Sequence, residues 1–461
     1  MGMFTCQSDM KRAFLRVATV VFALLGVAEL TAAVLCAEPT YEFTSGRELG
    51  QTDRVTVVLE VGGDVINKVE GKIERAKMSV VCNLNYAERT LEVPRDDAGR
   101  WRAVRYYDQA TAVVKVSEDG LKLTLSPQRQ LIGAEIEAEE VTLFAPQGPL
   151  TRDELELIDV QGNSLLLDRF LPQEPVAVGD TWKHSEGLVA ALLGVERVAE
   201  ADVRSTLGEV TDTVARFDMS GRVEGAVYGV TTEISVKAKY RFDLRRKRID
   251  WFTMLVEEKR NASPVADGVD AVARLKVQIE PSEGAAELAD AALQEIPSSA
   301  TAAMTELAYA SAEGGWRFTH DRRWHVYRDQ PQLAVLRMMD RGELIAQCNV
   351  SSLPKLPPEK TVSLGQFQEE VKKALGEGFE EFAEVGQWEE GDDRRVYQVN
   401  VRGKASEMPI QWNYYLIVDG QGRRVVFAFT FESRLADRFQ GADRNLVRSL
   451  RFADAKLADG D

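Results

Sequence analysis

The 461-residue chain contains only three histidines. Two of them, His320 and His325, stand in one short stretch, "THDRRWH" (Thr319–His325). With Asp321 between them they are the candidates for chemistry, because imidazole nitrogens and a carboxylate are the donors of a zinc site or the partners of a general base. The spacing argues against a shared ion. In a regular strand, residues five apart point to opposite faces. In a helix they stand about 140° apart around the axis. Histidines that grip zinc from a helix are four apart, as in H-E-x-x-H, and that motif is absent. Only an irregular turn would bring the pair together, and Arg322 and Arg323 would then set positive charge beside a cation. A single Asp–His pair is not a tetrahedral site. We therefore expect a domain entrance. "HDRR" turns the chain with Asp321 accepting local backbone hydrogens; Trp324 and Val326 face a core, and His325 and Tyr327 face outward or toward an edge. His320, Asp321 and His325 remain weak binding candidates, and no catalytic residue, metal or cofactor is assigned.

Other catalytic patterns are missing from the sequence. There is no G-x-S-x-G elbow, P-loop, paired C-x-x-C or dinucleotide glycine fingerprint. The acidic clusters "EIEAEE" (Glu135–Glu140) and "WEEGDD" (Trp388–Asp393) read as solvated strand edges and turns; the second lacks the alternation of a calcium loop. "RRKR" (Arg245–Arg248) reads as a solvated hairpin turn, and His184 as a surface residue of a loop.

The first stretch reads as an export signal. Lys11, Arg12 and Arg16 precede the apolar run "VATVVFALLGVA" (Val17–Ala28). Twelve such residues reach about 18 Å as a helix, short of an apolar bilayer core of about 30 Å, so the run fits a signal removed near Ala37. Met10 is an alternative start to Met1. Leu35 is too large for the residue before a lipidated cysteine, which argues against an anchor at Cys36. The expected destination is the periplasm or cell envelope, with membrane contact only through the uncleaved segment. The formal net charge of −16 becomes about −17 without residues 1–37, which opposes approach to nucleic acid or anionic lipid. After cleavage only Cys82 and Cys348 remain, too few for a disulfide scaffold; each lies in an apolar strand-like run.

About 420 mature residues call for two or three domains. We expect a β-rich N-terminal domain over 40–280 with two or more short helices. An Ala-rich, partly helical linker follows over 281–314, then a domain over 315–452 and a frayed tail over 453–461. The first domain carries long alternating runs such as "TEISVKAKYRFDL". Its helices are expected at "LTRDELELI", with capping-box spacing Thr151–Glu154, and at "EGLVAALLGVERVAEADV". In the C-terminal domain, "SLGQFQEEVKKALGEG" predicts a helix capped by Ser363 and Gln366 and ended by Gly376, with Leu364, Phe367, Val371 and Leu375 on one face. Four strands and a last helix burying Leu435, Phe439, Leu446 and Leu450 follow. The fold class expected is α+β: two domains, each an antiparallel sheet packed with a few helices.

From "GWRFTHDRRWHV" to "FTFESRLADRFQGADRNLVRSLRF", element order and spacing resemble the PsbP-like (PsbP/DcrB) α/β sandwich superfamily. That resemblance implies a mostly non-enzymatic helper in assembly or binding. The "LP…V.VGDTW" pattern resembles exported bacterial β-rich proteins of unknown function over Glu154–Glu258, and brings no activity. The leading expectation is thus an exported, non-catalytic binding or assembly module with an unknown protein or apolar ligand as partner. A carrier of a lipid or other apolar ligand, its sheet closed by the Leu188–Leu193 helix, stands second. A metal-assisted hydrolase using His320, Asp321 and His325 stands third.

Overall fold

Alternation of apolar and polar residues over 13 to 21 positions builds the longest elements. Along Val230–Asp243, for example, Ile234, Val236, Ala238, Tyr240 and Phe242 point inward while the residues between them face solvent or lie half-buried. The computed structural model describes residues 39–453, apart from 70–71, 95–98, 196, 228–229, 264–266, 295, 298, 312, 358 and 392. The expected signal segment and the tail from 454 lie outside the described residues.

Twelve strands form one antiparallel sheet. From one edge they run Thr181–Lys183, Arg197–Val210, Val214–Val227, Val230–Asp243, Arg248–Arg260 and Gly268–Pro281. Then come Thr52–Val69, Lys72–Glu92, Trp101–Val116, Leu131–Glu137 and Glu140–Phe144, with Asp119–Thr124 paired to Trp101–Val116. The inner face is covered by three short helices, Arg152–Ile158, Ser164–Leu167 and Glu186–Leu193. Leu155, Leu166, Val189 and Leu192 of these helices share a core with Val55, Leu84, Tyr107 and Phe217 of the sheet.

The α+β expectation is corrected here: the protein is mostly β, with large antiparallel sheets and little helix. The run "EGLVAALLGVERVAEADV" shows why. Its helix stops at Leu193, where Gly194 takes a left-handed φ of 67° that favours glycine. Arg197 then opens a 14-residue strand that buries Ala201, Val203 and Leu207 against the core, so pairing with Val214–Val227 outweighs the helical preference of its alanines and glutamates. Among the described residues, the Ala-rich stretch over 281–314 likewise yields short pieces: a three-residue 3-10 turn at Ala286–Leu288 and four-residue helices at Asp290–Leu293 and Ala302–Thr305. It also contains a strand, Leu307–Ser311, that the linker expectation lacked. Leu288 from this stretch packs on Ala87 and Val104, and its carbonyl accepts from Arg89 at 2.6 Å.

The second large sheet has seven antiparallel strands in the order Trp324–Gln330, Leu333–Asp340, Glu343–Leu353, Arg424–Glu432, Met408–Val418, Arg394–Ala405 and Phe379–Glu390. One face carries Leu336, Met338, Cys348, Phe427 and Phe429 against Trp316, Phe318 and the closing segment with Leu435, Phe439, Leu446 and Leu450. The other carries Val399, Val401, Trp412 and Leu416 against Phe367 and Val371 of the helix Leu364–Leu375. That helix has the expected capping box between Ser363 and Gln366. Cys82 and Cys348 are buried free thiols. A small sheet joins Leu307–Ser311 to Trp316–His320 on one side and, in parallel, to Leu150–Thr151 on the other. The histidine-bearing stretch is thereby seated against the N-terminal region.

Candidate functional site

His320 ends the strand Trp316–His320 and His325 is the second residue of Trp324–Gln330, with a turn between them. Asp321 serves that turn. Its Oδ1 accepts the Arg323 amide at 2.9 Å, and its carboxylate pairs with the Arg323 guanidinium at 2.8 Å. Arginines hold the turn from both sides. Arg152 donates to the carbonyls of Arg322 and Trp324 at 2.6 and 2.8 Å, while Arg322 donates to the carbonyls of Thr305, at 2.9 Å, and Leu143. Trp324 is fully buried, Val326 is half-buried, and Tyr327 is 48% exposed.

Because the turn interrupts strand geometry, both imidazoles line one cavity of about 760 Å³. His320 is 1% exposed; its Nδ1 lies 2.8 Å from the Asp321 carbonyl and its Nε2 has no hydrogen-bond partner. That geometry puts the proton on Nδ1, the nitrogen that can donate to the carbonyl, and leaves Nε2 an acceptor. Burial pushes both rings down to about 4. For His320 the Asp321 carbonyl opposes and Arg152 assists; for His325, Arg152 and His320 assist. Among the described residues no three His, Cys, Asp or Glu side chains gather as metal ligands.

Two expectations about polar residues are corrected. His184 is not on the surface: it is 6% exposed, its Nε2 lies 2.7 Å from Ser205 Oγ, and its ring meets Phe170 edge-on at 4.9 Å. Burial pushes it, too, down to about 4. "RRKR" is a turn whose last residue points inward. Arg248 is fully buried and donates to Asp53 Oδ2 at 2.6 Å, while Arg246 reaches the other oxygen at 3.0 Å.

The three low histidines carry a pH consequence. A histidine whose folded value lies below its unfolded value of about 6.5 binds its proton more readily in the unfolded chain, so stability falls as pH drops from about 6.5 to 4. The urea midpoint should therefore fall on going from pH 7.5 to pH 5, and His184→Gln should shrink that fall. A midpoint flat across this range would contradict the burial of all three rings.

A second cavity, about 430 Å³, lies where the helical cover ends. Leu59, Val61, Met78 and Ala271 line it from the sheet, and Val160 and Leu193 from the cover. Its origin is a mismatch of lengths. The strands Thr52–Val69 and Lys72–Glu92 have 18 and 21 residues, about 60–70 Å of chain at 3.3 Å each. The helices Arg152–Ile158 and Glu186–Leu193 have 7 and 8, about 10–12 Å. An inner-face row runs Val236, Val256, Ala273, Val61, Val80, Val114 and Leu121, each paired with the next across neighbouring strands. Val236 is 1% exposed and Val256 4%, Ala273 to Val114 are half-buried, and Leu121 is 55% exposed. Apolar patterning thus continues past the cover that would hide it. Glu156 lines both cavities, so the apolar groove opens beside the histidines.

The carrier expectation named one wall of the groove, the Leu188–Leu193 helix, which supplies Ala191 and Leu193; sequence reasoning missed the sheet residues opposite and the arginines at the other cavity, Arg152, Arg260 and Arg337. The readable signal was strand length against helix length, since period-two apolar runs outlast any helix available to bury them.

Fold and site together define a β-rich protein of two large antiparallel sheets with a cleft beside the first. No family model and no curated protein matches the chain. Among solved structures it is similar to cyanobacterial PsbP from Synechocystis sp. PCC 6803 (16% identity, 34% of this chain and 98% of that one, TM-score 0.25). It is also similar to a protein from Bacteroides thetaiotaomicron (8% identity, 33% of this chain and 50% of that one, TM-score 0.24). Lipovitellin is similar at 10% identity, over 56% of this chain and 27% of that one, with TM-score 0.31. The expected PsbP-like resemblance has this partial counterpart, at TM-scores that carry no argument about activity. The resemblance expected for Glu154–Glu258 has no support among the comparisons.

Proposed function

We propose that the protein is an exported, non-catalytic binding protein of the periplasm or cell envelope whose first sheet carries an apolar chain in the groove at Leu59, Val61 and Ala271. The supporting observation is the seven-strand apolar row whose helical cover runs out midway. A groove of about 430 Å³ falls within the size range of small-molecule sites, which are mostly apolar with a few polar groups at fixed positions. Each buried methylene contributes about 0.8 kcal/mol, so about eight carbons of an acyl chain would supply about 6 kcal/mol. The basic residues before Val17–Ala28 support export of the carrier.

Native mass spectrometry of protein purified without detergent tests this reading. A stoichiometric lipid is expected, together with uptake of diphenylhexatriene by delipidated protein. Ala191, half-buried on the groove wall, is the site for a filling variant: Ala191→Phe should cut dye uptake at least tenfold with the circular dichroism spectrum unchanged. A folded wild-type protein that carries no lipid and takes up no dye would refute the proposal.

A further inference from the structure

We infer that the cavity holding His320 and His325 receives a hydroxyl-rich head group, such as a sugar, attached to the apolar chain in the adjoining groove. The inference rests on that carrier reading and names the ligand class. The two cavities meet at Glu156, and the ion pair of Glu258 with Arg260, at 3.6 Å, has one member on each wall. A molecule seated in both has its tail against Val61 and Ala271 and its head beside the "THDRRWH" turn.

The lining excludes simple ions as the head. Arg152, Arg260 and Arg337 line the same space as Asp153, Glu156, Asp267 and Asp329, and Arg152 lies 4.0 Å from Glu156 on its own helix. A bare anion would meet four carboxylates and a bare cation three guanidiniums, so neither sign is favoured by the field as a whole. The histidines do not tip the balance, because both are neutral at pH 7. A hydroxyl suits such a wall, since it donates to carboxylates and accepts from guanidiniums.

His320 offers the cavity no open nitrogen: its Nδ1 lies 2.8 Å from the Asp321 carbonyl and its Nε2 is sealed from the cavity. The half-buried His325 on the same lining is therefore the imidazole that a head group meets. Tyr327, 48% exposed with the Arg337 guanidinium 3.5 Å from its ring centroid, gives the head an aromatic face at the cavity mouth.

The test compares heads on one tail. The full chain is titrated with dodecyl maltoside, dodecylphosphocholine and dodecanoate, each below its micelle concentration. The imidazole nitrogens are followed by NMR, where three histidines give three separable rings. Maltoside is expected to bind at least tenfold tighter than the other two and to move the His325 ring resonances in proportion to occupancy. Tyr327→Ala, on an exposed side chain, should weaken maltoside about fivefold and leave dodecanoate unchanged. Equal affinity for all three heads, with the His325 resonances still, would overturn the head-group inference while leaving the groove standing. Preference for phosphocholine would overturn it in favour of a zwitterionic head. Failure of every dodecyl chain to bind would instead remove the carrier reading on which it rests.

Discussion

Replacing Glu88 with alanine should destabilise the N-terminal region by about 3–5 kcal/mol, the range for a buried ion pair that loses one partner. Glu88 is fully buried. Arg47 reaches its Oε1 at 3.0 Å, Arg105 its Oε2 at 2.8 Å, and Ser164 Oγ the same oxygen at 2.6 Å. Both arginines are buried as well. Asp168, 3.8 Å from Arg47 and from Arg248, connects this set to Asp53. With Glu88 gone, two carboxylates face Arg47, Arg105, Arg246 and Arg248, and water cannot reach the uncompensated charge at Arg105. Burial alone would push the Glu88 carboxyl up, but Arg105 and Arg47 pull it down to about 2. A carboxyl lowered on folding contributes stability that is complete above its unfolded value of about 4.5 and is lost as pH falls to about 2. Urea unfolding followed by far-UV circular dichroism should therefore show a lower midpoint for Glu88→Ala at pH 7, with the gap to wild type closing below pH 4. A gap under 1 kcal/mol at pH 7 would mean that the two arginines find other partners or solvent.

This network shows where the sequence was legible and where it was not. Val230–Asp243 and Leu364–Leu375 could be read because each carries its own period, two in one and three-to-four in the other, and the helix also carries its caps. Their burial follows from local pattern. Arg248 and His184 could not be read that way. Their partners, Asp53 and Ser205, lie 195 and 21 residues away, and only strand pairing brings them together: Thr52–Val69 with Gly268–Pro281 for Arg248, and Thr181–Lys183 with Arg197–Val210 for His184. Fold class failed for a related reason. "GVERVAEADV" has helical composition, yet the unpaired edge of Val214–Val227 offers fourteen residues of ladder that a helix would leave exposed. The histidine pair was half legible. Strand and helix arithmetic both separate His320 from His325, and the Asp321–Arg323 turn is the irregular case that joins them on one wall. The groove was least legible, because it arises from what the helices are too short to cover.

Trp324→Ala should cost about 3–5 kcal/mol, the usual range for removing a buried aromatic ring, and it should disturb the candidate cavity more than any change at the histidines themselves. Trp324 stands beside His325 at the start of an edge strand, paired with Met338. Its ring is fully buried and meets Phe429 and Phe439 edge-on at 5.9 and 6.4 Å. The remaining residues of the strand after Val326 are exposed, so this one side chain supplies most of the apolar anchorage on the side of the cavity that carries His325 and Tyr327. Arg152 also donates to the Trp324 carbonyl, so backbone drift there loosens the tie to the helix Arg152–Ile158. Hydrogen exchange should show faster exchange along Trp324–Gln330 in the variant. The first sheet, whose core around Phe217 and Tyr240 is separate, should keep its protection. His325→Gln, which leaves the anchor in place, should change exchange little. If His325→Gln loosened the strand as much as Trp324→Ala, the imidazole rather than the indole would be holding this wall, and the stretch would have to be understood as a site first and a domain entrance second.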